Sequence, residues 1–283
     1  MTTPSVHVVI PTHTDRHLRR TLLGLSRQST RASTVTVSGD TDDPAILQVV
    51  RDVHRETGMP LVHTARRRHD EPRRAQTRNN GIRALLELEP DPEDHVLFLD
   101  GDCLPAKNLV ETHAASAAVG ELVIGYFIPL AEDVTKRLDE RELDLAADAE
   151  QLDDLRARER RAGRQLLLRR FGLTKSHKPK AVTGNLGVRL RRILQVNGFD
   201  EAYMEWGFED DDFTRRLHSA GSRVALAHTT ALVFHQWHPT LKSSDWTKTD
   251  SAARFRSRTP MRCRNGIEHP VSQHDVETTR FID

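Results

Sequence analysis

The stretch Val96-Leu97-Phe98-Leu99-Asp100-Gly101-Asp102 constrains the fold more than any other part of the chain. Four apolar residues in succession, halted by a short acidic turn, predict a strand covered on both faces. Such strands belong to parallel sheets with helices on either side. Carboxylates just beyond the carboxyl end of one lie where open α/β sheets bind ligands. Gly101, between Asp100 and Asp102, lets the backbone turn sharply and aim both carboxylates at one divalent cation. An Asx-rich turn with no ligand is the bland reading of the same three residues.

Upstream, Val6–Ile10 reads as a strand ended by Pro11-Thr12-His13. The spacing of Leu18, Leu22, Leu23 and Leu25 predicts a helix with Asp15 as its N-cap. Thr34–Ser38 is a second strand, closed by Gly39-Asp40. A helix begins near Pro44 and carries Ile46, Val49, Val50 and Val53 to a stop at Gly58. Leu61–His63 is a short third strand. Strand and helix alternating at this spacing predict βαβ units. A basic loop from Ala65 to Arg74 leads into a helix from Ala75 to Leu88. Its arginines read either as a solvated face or as a nucleic-acid patch, and the absence of interleaved aromatics argues against nucleic acid.

After the Asp-Gly-Asp strand come a helix at Leu109–Val119 and a strand at Leu122–Tyr126. From Glu132 to Arg170 charge dominates, and Leu138, Leu145 and Leu152 recur every seven residues. This predicts a long helix or helical pair inserted over 132–180, with a thin apolar stripe that Glu159 interrupts. A mobile cover, a homo-oligomer contact and a plain surface helix all suit it. Leu173–Lys180 reads as a flexible loop. Order returns at Ala181–Arg189. A helix from Phe213 to Ala220 has Phe213, Leu217 and Ala220 on one face. Strands near Val224–Ala227 and Ala231–Phe234 follow. The domain thus spans 1–240, and 241–283 reads as a loosely packed tail.

Composition excludes several classes. Among 283 residues, 42 Lys+Arg balance 41 Asp+Glu, so net charge gives no case for a polyanionic partner. Two cysteines in no metal-ligand spacing fit a reducing cytoplasm. The N-terminus lacks a signal-peptide apolar run, and nothing approaches the ~20 apolar residues of a membrane span. A 37% hydrophobic content with mean hydropathy −0.58 predicts a sizeable core under a polar surface.

Two further clusters accompany Asp-Gly-Asp. Glu209-Asp210-Asp211-Asp212 opens a helix, where the macrodipole favours acids, but four adjacent like charges overshoot that need. Trp206-Gly207 before them offers a stacking face and a bendable backbone, or else a core tryptophan. His235 and His238 flank Trp237 just after a strand. They are either structural or, with a carboxylate pair nearby, part of a mixed oxygen and nitrogen metal set.

The ordered strings Ile10-Pro11-Thr12, Ser38-Gly39-Asp40, Arg78-Asn79-Asn80-Gly81, Asp100-Gly101-Asp102, Gly184-Asn185-Leu186, Gly198-Phe199-Asp200-Glu201 and Trp206-Gly207-Phe208-Glu209-Asp210 resemble a GT-A-fold glycosyltransferase of family 2. The Trp-Gly-x-Glu-Asp-x-Asp segment is similar to that of galactosyl- and N-acetylgalactosaminyltransferases. The resemblance implies an α/β, Rossmann-like fold with a mostly parallel sheet and helices on both faces. It implies metal-dependent transfer from a nucleotide-diphosphate sugar, usually a UDP-sugar, with Mn²⁺ or Mg²⁺ and with inversion at the anomeric carbon. By position, Pro11, Thr12 and Asp40 fall where the family holds the nucleobase. Arg78 falls where it braces carboxylates and diphosphate. Asp100 matches the residue near ribose and metal, Asp102 the direct metal ligand of the Asp-x-Asp motif, and His235 or His238 the late metal ligand. Asp210 matches the general base, with Glu209 beside it, and Trp206, Gly184 and Asn185 shape the donor–acceptor junction. Ser38-Gly39-Asp40 departs from the acidic pair frequent at that point.

The chemistry agrees. A diphosphate leaves as an anion that a divalent ion stabilises, and an acceptor hydroxyl needs a carboxylate to take its proton. The acceptor stays open among a glycan, a lipid carrier, a peptide and a small natural product. Two other functions suit parts of this pattern. A sugar nucleotidyltransferase would carry a glycine-rich phosphate loop, which Pro11–Asp15 lacks; a catalytically silent sugar-binding module would not need acids at all four key positions.

Overall fold

The structure, a computed structural model, describes residues 4–67, 73–204, 207–239, 249–257, 260–271 and 276–282. The first half alternates strand and helix: β1 (Val6–Thr12), α1 (Leu18–Ser26), β2 (Thr34–Gly39), α2 (Pro44–Thr57), β3 (Leu61–Arg66), α3 (Arg74–Leu86) and β4 (His95–Phe98). It continues through β5 (Cys103–Pro105), α4 (Leu109–Ala117), β6 (Leu122–Ile124), β7 (Ile128–Pro129), α5 (Glu132–Arg137) and α6 (Ala149–Arg169). A single 3-10 turn, Thr183–Asn185, precedes β8 (Leu186–Arg189), α7 (Leu190–Val196), α8 (Glu209–Ser219), β9 (Val224–Leu226), β10 (Val233–His235), α9 (Asp250–Ser257) and β11 (Val276–Phe281).

Eight strands form one sheet in the order β11-β3-β2-β1-β4-β8-β6-β9, and β5, β10 and β7 form a second, three-stranded one. The pairs β3-β2, β2-β1, β1-β4 and β6-β9 are parallel; β8 runs against both β4 and β6, and β11 against β3. Alternation along each strand splits the core into two layers. Val8, Ile10, Leu97 and Val123 face a cluster with Leu18, Leu22, Ile46 and Leu109 from α1, α2 and α4. Val9, Val96, Phe98, Leu122 and Ile124 face Ile82, Ile193, Phe213 and Leu217 from α3, α7 and α8. Phe213 stacks on Phe199 at 4.0 Å between centroids, and Phe98 meets Phe199 edge-on at 5.3 Å. The two-faced covering expected of Val96–Leu99 is therefore met, with all four residues fully buried.

Local chemistry sets the ends of the elements. Asp43 caps α2 by accepting from Ala45 N at 2.9 Å, and Gly58 closes it at φ 62°, the left-handed region glycine adopts without strain. Asp15 does not cap α1. His17 holds the N-cap position, while Asp15 contributes only its carbonyl to Leu18 N at 3.1 Å. Gly81 lets α3 lie against β1, because a Cβ there would come within 2.6 Å of Val9 Cγ1.

Three expectations change. The 132–180 insertion is a helical pair, but its heptad leucines are not its main anchors. Leu138 and Leu145 are only partly buried, whereas Leu143 and Leu155 are 4% and 2% exposed. Glu159, which interrupts the heptad, accepts from both the backbone N–H and the hydroxyl of Thr229 at 3.1 Å and so pins α6 to the domain. The 241–283 stretch is not loosely packed where it is described. Ser251, Ala252 and Cys263 are buried, and β11 extends the sheet through six paired residues with β3. An edge strand with a polar outer face needs no apolar periodicity, so its sequence carries little strand signal. The arginines after Ala65 are a solvated face only in part: Arg67 and Arg74 are exposed, but Arg66 is buried against Asp40 and Arg73 is half-buried, while Arg68 lies outside the described residues. No helix among the described residues is long and apolar enough to cross a membrane.

Candidate active site at the carboxyl ends of the central strands

β1, β2 and β4 run parallel, so their carboxyl ends deliver Pro11-Thr12, Gly39-Asp40 and Asp100-Gly101-Asp102 to one edge of the sheet. The turn before β8 brings Thr183-Gly184-Asn185 to the same place, and α8 adds Glu209 and Asp210 from its first turn. Gly207 at φ 103° and Phe208 at φ 69° swing the chain into α8. A left-handed non-glycine residue such as Phe208 is uncommon and costs strain, which the packing of its ring on Phe255 at 5.0 Å offsets. Trp206 lies outside the described residues.

Arg78 organises one pole of the site. It is 4% exposed and donates to Glu209 Oε1 at 3.1 Å and to Thr183 Oγ1 at 2.6 Å. Its guanidinium also lies 3.5 Å from Asp210 and 3.8 Å from Asp100. Burial works to lower its pKa, but Asp210, Glu209 and Asp100 together raise it, so the cation is locked in place. Thr183 completes the arrangement by donating its hydroxyl to Asp210 Oδ2 at 3.1 Å. Burial and the Asp210 charge raise Glu209, with Arg78 opposing. The recessed Asp100 carboxyl is pushed up to about 7, with burial the largest cause, Arg78 opposing it, and Asp102 and Asp210 adding to it. Each of the four adjacent acids thus finds a partner: Arg78 is shared by Glu209 and Asp210, Thr183 also serves Asp210, Lys180 lies 3.5 Å from Asp211, and Arg215 and Arg216 lie 2.5 and 2.7 Å from the buried Asp212.

Asp102 forms the other pole. Its Oδ2 lies 3.2 Å from His238 Nε2 and 3.6 Å from His235 Nε2, and one ligand atom from each of the three residues falls within 4.8 Å of the others. Burial works to raise the Asp102 carboxyl, but the hydrogen bond to His238 and the charges of both histidines hold it below the usual carboxylate range. The bond to Asp102 in turn raises His238. The histidine loop is tied down on several sides: Gln236 N donates to Asp102 O at 2.9 Å, Trp237 N to Thr135 Oγ1 at 2.9 Å, and the His17 ring meets Trp237 O at 3.0 Å.

These residues fit a divalent cation. Asp102 Oδ1 is buried without a hydrogen-bond partner, which costs free energy unless something else satisfies it. A carboxylate with two imidazoles is an oxygen–nitrogen set suited to Mn²⁺. Asp100, Asp102 and Cys103 also cluster, but burial raises the Cys103 thiol far above its usual range, and a thiol is a poor ligand compared with a thiolate.

The remaining sequence-derived positions sit close by, with their side chains already engaged. Asp40 is buried, takes Arg66 Nε and Nη2 at 3.0 and 2.7 Å on one oxygen, and accepts from Thr77 Oγ1 and Arg73 N at 3.1 Å each. Thr12 Oγ1 bonds Thr14 O at 2.7 Å, while its carbonyl accepts from Asp40 N at 2.7 Å. Gly101 and Gly184 permit close approach, since a Cβ would lie 2.9 Å from Thr12 Oγ1 and 3.2 Å from Asp100 Oδ2 respectively. Asn185 is fully buried; it donates to Tyr126 O and Ala231 O at 2.7 and 2.8 Å and meets His113 Nε2 at 2.9 Å. It braces the wall of the site. Sequence reading missed Arg66, Thr77 and Thr183. Thr183, beside Gly184-Asn185, and Thr77, beside Arg78, carried a positional signal; Arg66 became relevant through its long-range pairing with Asp40.

Comparison with known proteins agrees with the fold. Residues 169–238 match the family described as the N-terminal domain of galactosyltransferase. A curated relative, the uncharacterized glycosyltransferase YfnE of Bacillus subtilis, is 38% identical over 58 residues, which cover 20% of this chain and 14% of the relative. Among solved structures, S. aureus TarS 1-349 superposes with a TM-score of 0.56 at 14% identity, covering 82% of this chain and 60% of that one. GalNAc-T7 with UDP, GalNAc and Mn²⁺ superposes with a TM-score of 0.54 at 13% identity, covering 84% and 44%. The chain therefore spans less than two thirds of these proteins' lengths. The chain thus shares the fold of these glycosyltransferases, and its 169–238 segment is similar in sequence to the N-terminal domain of galactosyltransferase.

Proposed function

We propose that the chain transfers a sugar from a UDP-sugar to an acceptor hydroxyl with inversion, using a divalent cation held by Asp102, His235 and His238. The observation that carries this reading is the pairing of an unsatisfied Asp102 oxygen between two histidines with the Arg78–Thr183–Asp210 cluster on the same sheet edge. The GalNAc-T7 neighbour, solved with UDP, GalNAc and Mn²⁺, supports the donor and ion classes. The galactosyltransferase segment directs the first donors to try toward galacto-configured sugars.

A cation bound at this pole would neutralise charge that develops on the departing diphosphate. The chain's own residues do the rest. Arg78 adds fixed positive charge beside Asp100 and Asp210. Arg16, Arg20 and Lys136 line an open cleft of about 390 Å³ next to Trp237, which offers further cationic side chains to phosphate oxygens. Asp210 takes the acceptor proton. Its side chain is 24% exposed, against 6% for Glu209, so an acceptor can reach it. Thr183 fixes the carboxylate, and Glu209 braces Arg78. In-line displacement opposite the leaving group then gives inversion.

UDP release from UDP-galactose and UDP-N-acetylgalactosamine, with Mn²⁺ and then with EDTA, tests the reading. Turnover that depends on Mn²⁺ and is lost in Asp102→Asn is expected. Metal-independent turnover, or melting curves unmoved by UDP with Mn²⁺ in the wild type, would refute it.

A further inference from the structure

The outward face of α6 plays no part in the site and carries an unusual combination of side chains. From 160 to 180 the chain has eight basic residues, Arg160, Arg161, Arg164, Arg169, Arg170, Lys175, Lys178 and Lys180, and no Asp or Glu. Leu155, Ala162 and the Glu159–Thr229 bonds hold the inner face of the helix to the domain. Arg160, Arg164, Leu167, Leu168 and Phe171 follow at helical spacing on the opposite face, and all are exposed. Leu167, Leu168, Phe171 and Leu173 are 56, 41, 70 and 69% exposed. They are four of the nine large hydrophobics exposed among the described residues, gathered within seven positions. Arg160, Arg161, Arg164 and Arg170 have no ion-pair partner among the described residues.

We propose that the end of α6 and the turn after it dock on a bilayer surface rich in anionic phospholipid. Charge complementarity selects this partner: the arginines face phosphate headgroups, while the leucines and Phe171 enter the headgroup–acyl boundary. A second copy of this chain would present the same positive charge and be repelled. The segment leads by chain through Lys180, paired with Asp211, to Thr183 in the site, so docking would set the orientation of the site toward the surface. This inference stands apart from the proposed reaction, because it uses none of the residues assigned to donor, cation or proton.

The test is co-sedimentation of the full chain with vesicles of phosphatidylcholine alone and of phosphatidylcholine with phosphatidylglycerol, in low and high salt. Binding to the anionic vesicles that salt weakens is expected. Reversing three charges (Arg160→Glu, Arg164→Glu, Arg170→Glu) should weaken it by at least about a hundredfold. Leu167→Ser with Phe171→Ser should also weaken it while the salt response stays. Wild-type melting temperature and donor hydrolysis in both variants would show that the fold persists. Equal binding to neutral vesicles, no binding to either, or a patch-dependent dimer in light scattering without vesicle binding would overturn the proposal.

Discussion

The two poles of the site are built on opposite principles. Around Arg78 each carboxylate has a partner: one buried guanidinium serves Glu209, Asp210 and Asp100 together, and Thr183 ties it to Asp210. Around Asp102 the balance is left open, with one oxygen facing two histidines and the other facing none. A paired buried cluster is rigid, because removing any member strands a charge. A half-satisfied carboxylate between imidazoles is where the proposed cation would sit. The difference separates preorganisation at Arg78 from recruitment at Asp102.

The largest effect should come from Asp210→Asn, which removes a proton acceptor at almost constant volume. Transfer should fall by about 10²–10⁴-fold with UDP affinity retained, as steady-state kinetics and calorimetry can check. Near-normal turnover, or a product that keeps the donor's anomeric configuration, would move the proton chemistry away from the Arg78 pole.

Arg78→Met should cost about 3–5 kcal/mol of folding stability, since Glu209 loses the cation that compensates its burial. Denaturant melts read this directly. A loss below about 1 kcal/mol would mean that the paired pole is no more closed than the Asp102 pole.

The histidines divide in the same way. His238, beside an acid, is raised, whereas burial lowers His63, His113 and His218 to about 4 from 6.5. Their folded values lie below the unfolded one, so their contribution is fully present above about pH 6.5 and fades as pH falls toward 4. Each is worth at most ~3 kcal/mol over that window. Melts between pH 7 and 4 should show this loss, and His113→Gln should reduce it.

The smallest effect separates the two candidate ligands. Mn²⁺ at a hundredfold excess over its dissociation constant stabilises by about 2.7 kcal/mol. His235→Ala and His238→Ala should each shrink that gain. If neither does, the open pole is not a cation site.

The sheet and the place of the site were legible in the residues because their signals are local. Val96–Leu99 is continuously apolar, Ile46, Val50 and Val53 repeat at helical spacing, and Gly58 and Asp43 mark ends that backbone chemistry alone requires. The Asp100, Asp102, Glu209, Asp210, His235 and His238 positions stood out by residue type and order. What those groups do to one another was not legible. Asp40 meets Arg66 across 26 residues, and Arg78 reaches Glu209 across 131. Neither pairing leaves a periodic trace. The same limit hid β11, a polar edge strand whose identity is its pairing with β3, and the anchoring of the insertion, where Leu143 before α6 and Leu155 and Glu159 on its inner face, rather than the heptad leucines, make the attachment. By itself the sequence determined which segments become strands and helices and which acids, histidines and arginines gather at one sheet edge, since burial and capping act over a few residues. Tertiary structure alone decided which carboxylate is locked and which is left open, because that depends on charges brought together from distant parts of the chain.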